Sequence, residues 1–184
     1  MKGWRYITIP LLSIAIPLLC ISISIYLSPW FNLFDNALSD LGHATRSSVA
    51  PIFNFGLSLG GFLIALTAIT IFSKIHRSLA YLGTLCSYTL ILIAVFDEIY
   101  RSLHYWVSVA FFLSLGALLI DYVVIMKNIA RKISATIALA IAIISWILHL
   151  VYGLPRGAAI PELISIFCAA PFYIDIALQY TSSK

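Results

Sequence analysis

Five residues with metal-binding or acid–base chemistry fall at positions that predict one shared location. They are Asp40, His43, Asp97, His104 and His149. Two or three imidazoles with a carboxylate form a ligand set that suits zinc or another borderline divalent ion. Such an ion lowers the pKa of a bound water to roughly 7 and makes it a hydrolytic nucleophile. These residue types therefore predict a metal-assisted hydrolytic site.

The roles assigned to these residues overlap, and two arginines join them. The candidate metal ligands are His43, Asp97, His104 and His149. The candidate catalytic residues are Asp40, Asp97, His104 and His149. Arg101 and Arg156 are candidate substrate-binding residues. Asp97, Arg101 and His104 are spaced by four and three residues, so they share one face if this segment is helical.

A plainer interpretation of the same residues stays open. Asp40 caps a helix, Arg101 pairs with Asp97, and the histidines form hydrogen bonds at the membrane interface. The ligands would come from separate helices, and no local metal-binding motif fixes them.

The elements that must position these residues are membrane-spanning helices. Of the 184 residues, 62% are hydrophobic and only 10% are charged, and the mean hydropathy is +1.04. Soluble domains carry about 25% charged residues, so a soluble enzyme is excluded. A span needs about 20 mostly apolar residues. Six stretches meet this length: residues 7–27, 52–72, 79–96, 103–125, 133–151 and 159–178. The predicted fold is an all-α bundle in a single transmembrane domain, residues 1–184.

The basic residues predict the orientation of the bundle. Eight fall on one side of the six-span arrangement: Lys2, Arg5, Lys74, Arg77, Lys127, Arg131, Lys132 and Lys184. Only Arg46, Arg101 and Arg156 fall on the other side. Because cytoplasmic loops carry the excess of Lys and Arg, both termini are predicted to be cytoplasmic in a multi-pass protein of the cell membrane. The net charge of +4 follows from this topology, and no basic stripe points to a nucleic-acid partner.

Local patterns refine this arrangement. Apolar residues between Trp30 and Leu41 recur at helical spacing, which predicts a short amphipathic helix on the outer surface, ended by Gly42. Pro161 and Pro171 are expected to bend or break the sixth helix. On the inner side, we expect Asp121 and Asp175 to pair with Lys74, Arg77 or Lys127.

Three glycines in the second span, Gly56, Gly60 and Gly61, form a small-residue pattern that lets helix backbones approach closely. Close packing inside the chain is the preferred interpretation, and a homodimer through Gly56 and Gly60 is the alternative.

The segment SDLGHATRSSVAPIFNFGL resembles a six-span membrane family, domain of unknown function 998. The matching positions are Ser39, Asp40, Leu41, Gly42, Pro51 and Asn54, with Asp97 and His104 at the turn between the third and fourth spans. The turn from Gly153 to Arg156 is also similar. This resemblance implies the six-span fold and an outer polar site, but no activity.

A looser similarity links the chain to ceramidase-like membrane hydrolases, which use Ser, Asp and His residues around zinc. In this chain the corresponding residues would be Ser39, Asp40, His104 and His149. Those enzymes have seven spans and histidines near the last one, whereas the sixth span here contains none.

Three functions follow as expectations. The preferred one is an outward-facing hydrolase, with metal assistance, acting on a lipid substrate in the bilayer. The first alternative is a non-enzymatic module that binds lipid or a partner helix. The second is a small transporter, which would depend on Asp121 or Asp175.

Overall fold

The computed structural model describes residues 4–182 and consists of six long helices. They are α1 (Trp4–Tyr26), α2 (Ala50–Thr70), α3 (Arg77–Val95), α4 (Ser102–Ile125), α5 (Ile129–Tyr152) and α6 (Ala159–Ser182). Each contains a stretch long and apolar enough to cross a membrane. The predicted all-α, six-span class is therefore confirmed. Lys2 and Lys184, which contribute to the predicted orientation, lie outside the described residues.

Three connections lie at one end of the bundle, which we call the site end. They are the long connection 27–49, the α3–α4 turn and the α5–α6 turn. Short 3-10 helices form in the first two, at Leu38–Gly42 and Glu98–Tyr100. The α2–α3 and α4–α5 turns lie at the opposite end. The site end is the end at which the sequence places three of its four histidines and most of its acids.

Helices α1 to α4 form the densely packed part of the bundle, and α6 packs against α1 and α4. α5 packs against α4 and α6 and is the least buried of the six. Leu38 and Leu41 insert into the apolar core at the site end, beside Phe53 and Val107. The long connection is thus anchored in the bundle, while the region beside α5 remains loosely filled.

The glycines of α2 provide close helix contacts within the chain. Gly56 and Gly60 lie against Cys20 and Pro17 of α1, and Gly61 lies against α3. A side chain at any of these glycines would collide with its neighbour. The face predicted for close packing is therefore occupied by α1. A homodimer through the same glycines would have to displace that helix.

The connection 27–49 differs from the predicted amphipathic helix. Helix forms only at Leu38–Gly42, and the residues before it form turns. Asn32 accepts the Phe34 N–H through its side chain, and Asn36 accepts the Asn32 N–H. These local bonds compete with helical hydrogen bonding. The predicted end of the helix at Gly42 is confirmed.

The expected break in α6 is also absent. The helix continues past Pro171. Pro161 lies in the first turn, where a missing N–H has no helical partner to lose.

At the opposite end, the two acids have partners other than those predicted. Asp175 pairs with Arg131 at 3.2 Å and accepts hydrogen bonds from Tyr122 and Gln179. Asp121 accepts a hydrogen bond from Ser78 at 2.6 Å. The ion-pair partner of Asp175 is thus Arg131 instead of the predicted Lys74, Arg77 or Lys127.

Candidate functional site

The site is built on a connection that is hydrogen-bonded to the start of α6. The N–H of Gly157 donates to Phe34 O at 2.8 Å, and the N–H of Ala159 donates to Asn36 O at 3.0 Å. Further along both segments, the N–H of Leu38 donates to Glu162 Oε2 at 2.7 Å. These three bonds place the Leu38–Gly42 turn beside the N-terminus of α6.

The two predicted aspartates hold backbone N–H groups. Asp40 Oδ2 accepts the N–H of Ala37 at 3.0 Å and the side-chain amide of Asn36 at 2.8 Å. Asp97 is buried and accepts the N–H of Ile99 and of Ala44, both at 3.0 Å. Asp97 therefore fastens the α3–α4 turn to the long connection. Asp40 acts in a cap, as the plainer interpretation expects, whereas Asp97, expected there to pair with Arg101, caps the α3–α4 turn.

A serine and two carboxyl groups form a connected chain at the centre of the site. The Ser39 hydroxyl donates to Glu98 Oε1 at 2.8 Å. Asp40 is the neighbouring carboxyl group, and it acts on Glu98 through a hydrogen bond and through its charge. Burial, followed by the hydrogen bond with Asp40, raises the pKa of Glu98 from 4.5 to about 7.

His104 and His149 are held in the same way on opposite walls of a cleft. His104 Nδ1 donates to Phe96 O at 2.7 Å, and His149 Nδ1 donates to Pro155 O at 2.9 Å. In a neutral ring the other nitrogen, Nε2, is then the acceptor. His104 Nε2 lies 3.4 Å from the Ser108 hydroxyl. Both imidazoles line the cleft, each with its ring orientation fixed by a backbone carbonyl.

The cleft lies between α4, α5 and α6 and has a volume of about 790 Å³. Its mouth, at the site end, is lined by polar residues: Ser39, Glu98, Arg101, His104, His149 and Glu162. Its body is lined by apolar residues such as Phe112, Leu115 and Leu139. Leu113 and Leu150 line it too and are largely exposed, so the cleft opens sideways out of the bundle. The site is therefore amphipathic, with one polar end.

Arg101 lies at the mouth in an uncommon backbone conformation. Its φ is +45° and its ψ is −104°, and it directly precedes α4. A side chain in this region costs about 1–3 kcal/mol, and such residues concentrate at functional sites. Arg156, the other predicted substrate-binding residue, is exposed and does not line the cleft. Only Arg101 of the two is therefore placed to contact a molecule in the cleft.

The four predicted metal ligands do not meet in one place. His104 and His149 line the cleft, whereas His43 lies next to Thr45 and Asp97 binds backbone N–H groups. Within residues 4–182, no three His, Cys, Asp or Glu side chains are grouped in a way that could hold a metal ion.

Glu98 and Glu162 line the mouth, but sequence reasoning assigned them no role. Glu162 is buried in the first turn of α6 and accepts the Leu38 N–H. The sequence did contain a signal for Glu98 and Glu162, because an ionisable residue at the level of the membrane is a functional candidate by default. Glu98 and Glu162 line the same mouth because of the way residues 27–49 fold, and hydrophobic periodicity does not reveal that fold.

The raised pKa of Glu98 predicts how stability changes with pH. The folded state binds the proton more tightly than the unfolded chain. Glu98 thus contributes stability below about pH 4.5 that is lost as the pH rises through about 7. After a discount for solvent screening of this half-buried group, we expect a loss of about 1–2 kcal/mol. Thermal unfolding of the wild type and Glu98→Gln between pH 4 and 8 measures it. Parallel profiles for the two proteins would contradict the assignment.

Comparison with protein families gives a match over most of the chain. The family described as "Protein of unknown function (DUF998)" matches residues 11–178. Searches of curated proteins and of solved structures find no significant match. The matched range contains every residue of the site.

Proposed function

Since the chain belongs to the DUF998 family, for which no function is described, we propose a function from the cleft: the protein binds a lipid from the surrounding bilayer. An acyl chain occupies the apolar body, and the head group lies among the polar residues of the mouth. The single observation that carries this proposal is the cleft itself, which is polar at one end and open at its side.

The dimensions of the cleft suit an acyl chain. Its lining on α4 runs from His104 to Ile120, which corresponds to roughly 24 Å of helix. This length covers most of the roughly 30 Å thickness of the hydrocarbon layer. Its volume falls within the range of about 300–1,000 Å³ of sites that enclose one small molecule. A single chain with its head group is therefore the fitting occupant.

The chemistry of the mouth suits a polar, hydrogen-bonding head group. Arg101 supplies donors, and Glu98 supplies an acceptor. His104 and His149 each present the ring nitrogen that is not bonded to a backbone carbonyl. Ionisable groups at this depth are expensive unless they face the protein or a polar ligand. A polar head group bound in the mouth explains why the ionisable residues concentrate at one end of an otherwise apolar cleft.

The charge asymmetry of the loops supports an orientation for this site. Because basic residues concentrate at the opposite end, we propose that this end and both termini are cytoplasmic. The mouth then faces away from the cytoplasm and takes lipid from the outer leaflet. Transport through the bundle and homodimerisation remain alternatives, but no contact described above favours either.

Filling the cleft tests the proposal. A Cβ added to Gly116 has only Leu139 Cδ1 nearby, at 3.9 Å, and both residues line the cleft. Gly116→Phe therefore places a ring in the apolar body. We expect it to weaken binding of a fluorescent monoacylglycerol by at least about tenfold, equivalent to about 1.4 kcal/mol. Fluorescence titration of the purified protein in detergent measures the change.

The matched control is Val124→Phe, on the same helix but outside the cleft. Val124 is largely exposed, so the added ring points into detergent or lipid. The control is expected to bind as the wild type does. Equal binding by all three proteins would contradict the cleft as the lipid site, as would no binding by the wild type.

A further inference from the structure

We infer that Ser39 is a nucleophile, that Glu98 is its base, and that the site hydrolyses a carboxylic ester of the lipid in the cleft. This inference rests on the proposed lipid binding. It differs from the metal-assisted reaction expected from the sequence because the activating group is a carboxylate of the chain.

The geometry of Ser39 carries the inference. Its hydroxyl donates to Glu98 Oε1 at 2.8 Å, well within the distance for proton transfer. Ser39 is only 9% exposed, and both residues line the mouth of the cleft. Asp40 is the neighbouring carboxyl group that acts on Glu98, and it is itself held by Asn36 and Ala37. The site thus contains a nucleophile, its base and a group that orients the base, in the order Ser39, Glu98 and Asp40.

Other hydroxyl groups in the cleft are less suitable. Ser165 donates to Pro161 O and accepts from Trp146, so its hydrogen atom and a lone pair are already used. Ser108 lies near His104 Nε2, but at 3.4 Å, which is a weak contact. Ser39 is the lining serine with a short bond to a basic group.

The reaction balances with water as the only co-reactant. Ser39 Oγ bonds to the ester carbonyl carbon, and its proton passes to Glu98. The bond to the alcohol oxygen breaks, and the alcohol takes that proton. Water then attacks the acyl carbon, the bond to Ser39 Oγ breaks, and Glu98 carries a water proton back to Ser39. Arg101, which also lines the mouth, is the positively charged residue assigned to stabilise the negative charge on the carbonyl oxygen. The products are a carboxylic acid and an alcohol.

A hexadecyl fluorophosphonate tests the nucleophile, because it reacts covalently with activated serines and carries a chain for the cleft. We expect the wild type to be labelled on Ser39, as located by peptide mass spectrometry. Ser39→Ala should lose the label, and Glu98→Gln should react about 100-fold more slowly, as expected for loss of a general base. Ser48→Ala, an exposed serine of the same connection, should react as the wild type does.

Fluorescent monoacylglycerol binding by the same samples separates this inference from the proposed function. A cooperative thermal unfolding transition of Ser39→Ala and of Glu98→Gln shows that these variants are folded. A wild type that binds the lipid but is not labelled, or is labelled on Ser108, overturns the nucleophile and leaves lipid binding intact. Labelling of Ser39 without lipid binding supports the nucleophile and contradicts the proposed function. A wild type that is not labelled and does not bind the lipid contradicts both the nucleophile and the proposed function.

Discussion

Gly157→Ala is expected to detach the long connection from α6 and to destabilise the protein by about 2–3 kcal/mol. Gly157 is buried, and its N–H donates to Phe34 O. A Cβ at this position would collide with the backbone of Asn36 and of Asp35. Backbone atoms cannot rotate away as a side chain can, so the two segments must separate. Thermal unfolding in detergent measures the loss.

Gly116→Ala is the matched control for this substitution. Gly116 lies inside α4, and a Cβ there meets only ordinary van der Waals contact. Alanine is favoured over glycine in a helix interior by roughly 1 kcal/mol, so this variant should be as stable as the wild type or slightly more so. If both substitutions have the same effect, the close contact at Gly157 does not hold the connection in place.

The second large effect is expected at Glu162, which joins α6 to the Leu38–Gly42 turn. Glu162→Leu removes the acceptor of the Leu38 N–H and leaves that donor buried without a partner. Glu162→Gln keeps an acceptor oxygen at the same place. Both variants also remove the ionisable carboxyl group near Glu98 and Asp40. The difference between them therefore isolates the hydrogen bond.

We expect Glu162→Leu to be less stable than Glu162→Gln by about 1–3 kcal/mol, the cost of one buried unpaired donor. Denaturant or thermal unfolding of the two variants in the same detergent measures this difference. Equal stability would mean that the bond between Glu162 and Leu38 contributes nothing to the position of the turn.

The spans could be predicted because the bilayer fixes their length. An apolar run of about 20 residues has few alternatives to a membrane helix. The predicted stretch 103–125 agrees within one residue with α4, Ser102–Ile125. The prediction of an amphipathic helix was wrong because it rested on apolar spacing alone. In residues 30–37 the side chains of Asn32 and Asn36 accept backbone N–H groups, and these hydrogen bonds outweigh the apolar pattern.

The site was predictable only in part, for a related reason. Topology placed His104, His149 and Arg101 at one end of the bundle, and all three line the cleft. It could not distinguish an acid that faces a cavity from one that caps a turn. Asp97 caps the α3–α4 turn, whereas the adjacent Glu98 lines the mouth. That difference arises from local backbone geometry rather than from spacing along the chain.

Photo-crosslinking in a bilayer tests the central claim, that a lipid chain occupies the cleft. A phospholipid with a diazirine on its acyl chain would be incorporated with the wild-type protein, irradiated, and the adducts mapped by peptide mass spectrometry. Ala142 and Ser165 line the cleft and are buried, so only a lipid inside the cleft can reach them. Leu19 and Phe62 are exposed on other helices and report ordinary bilayer contact. A lipid chain in the cleft should leave adducts on Ala142 and Ser165 as well as on the exposed residues. Adducts on Leu19 and Phe62 alone would contradict it.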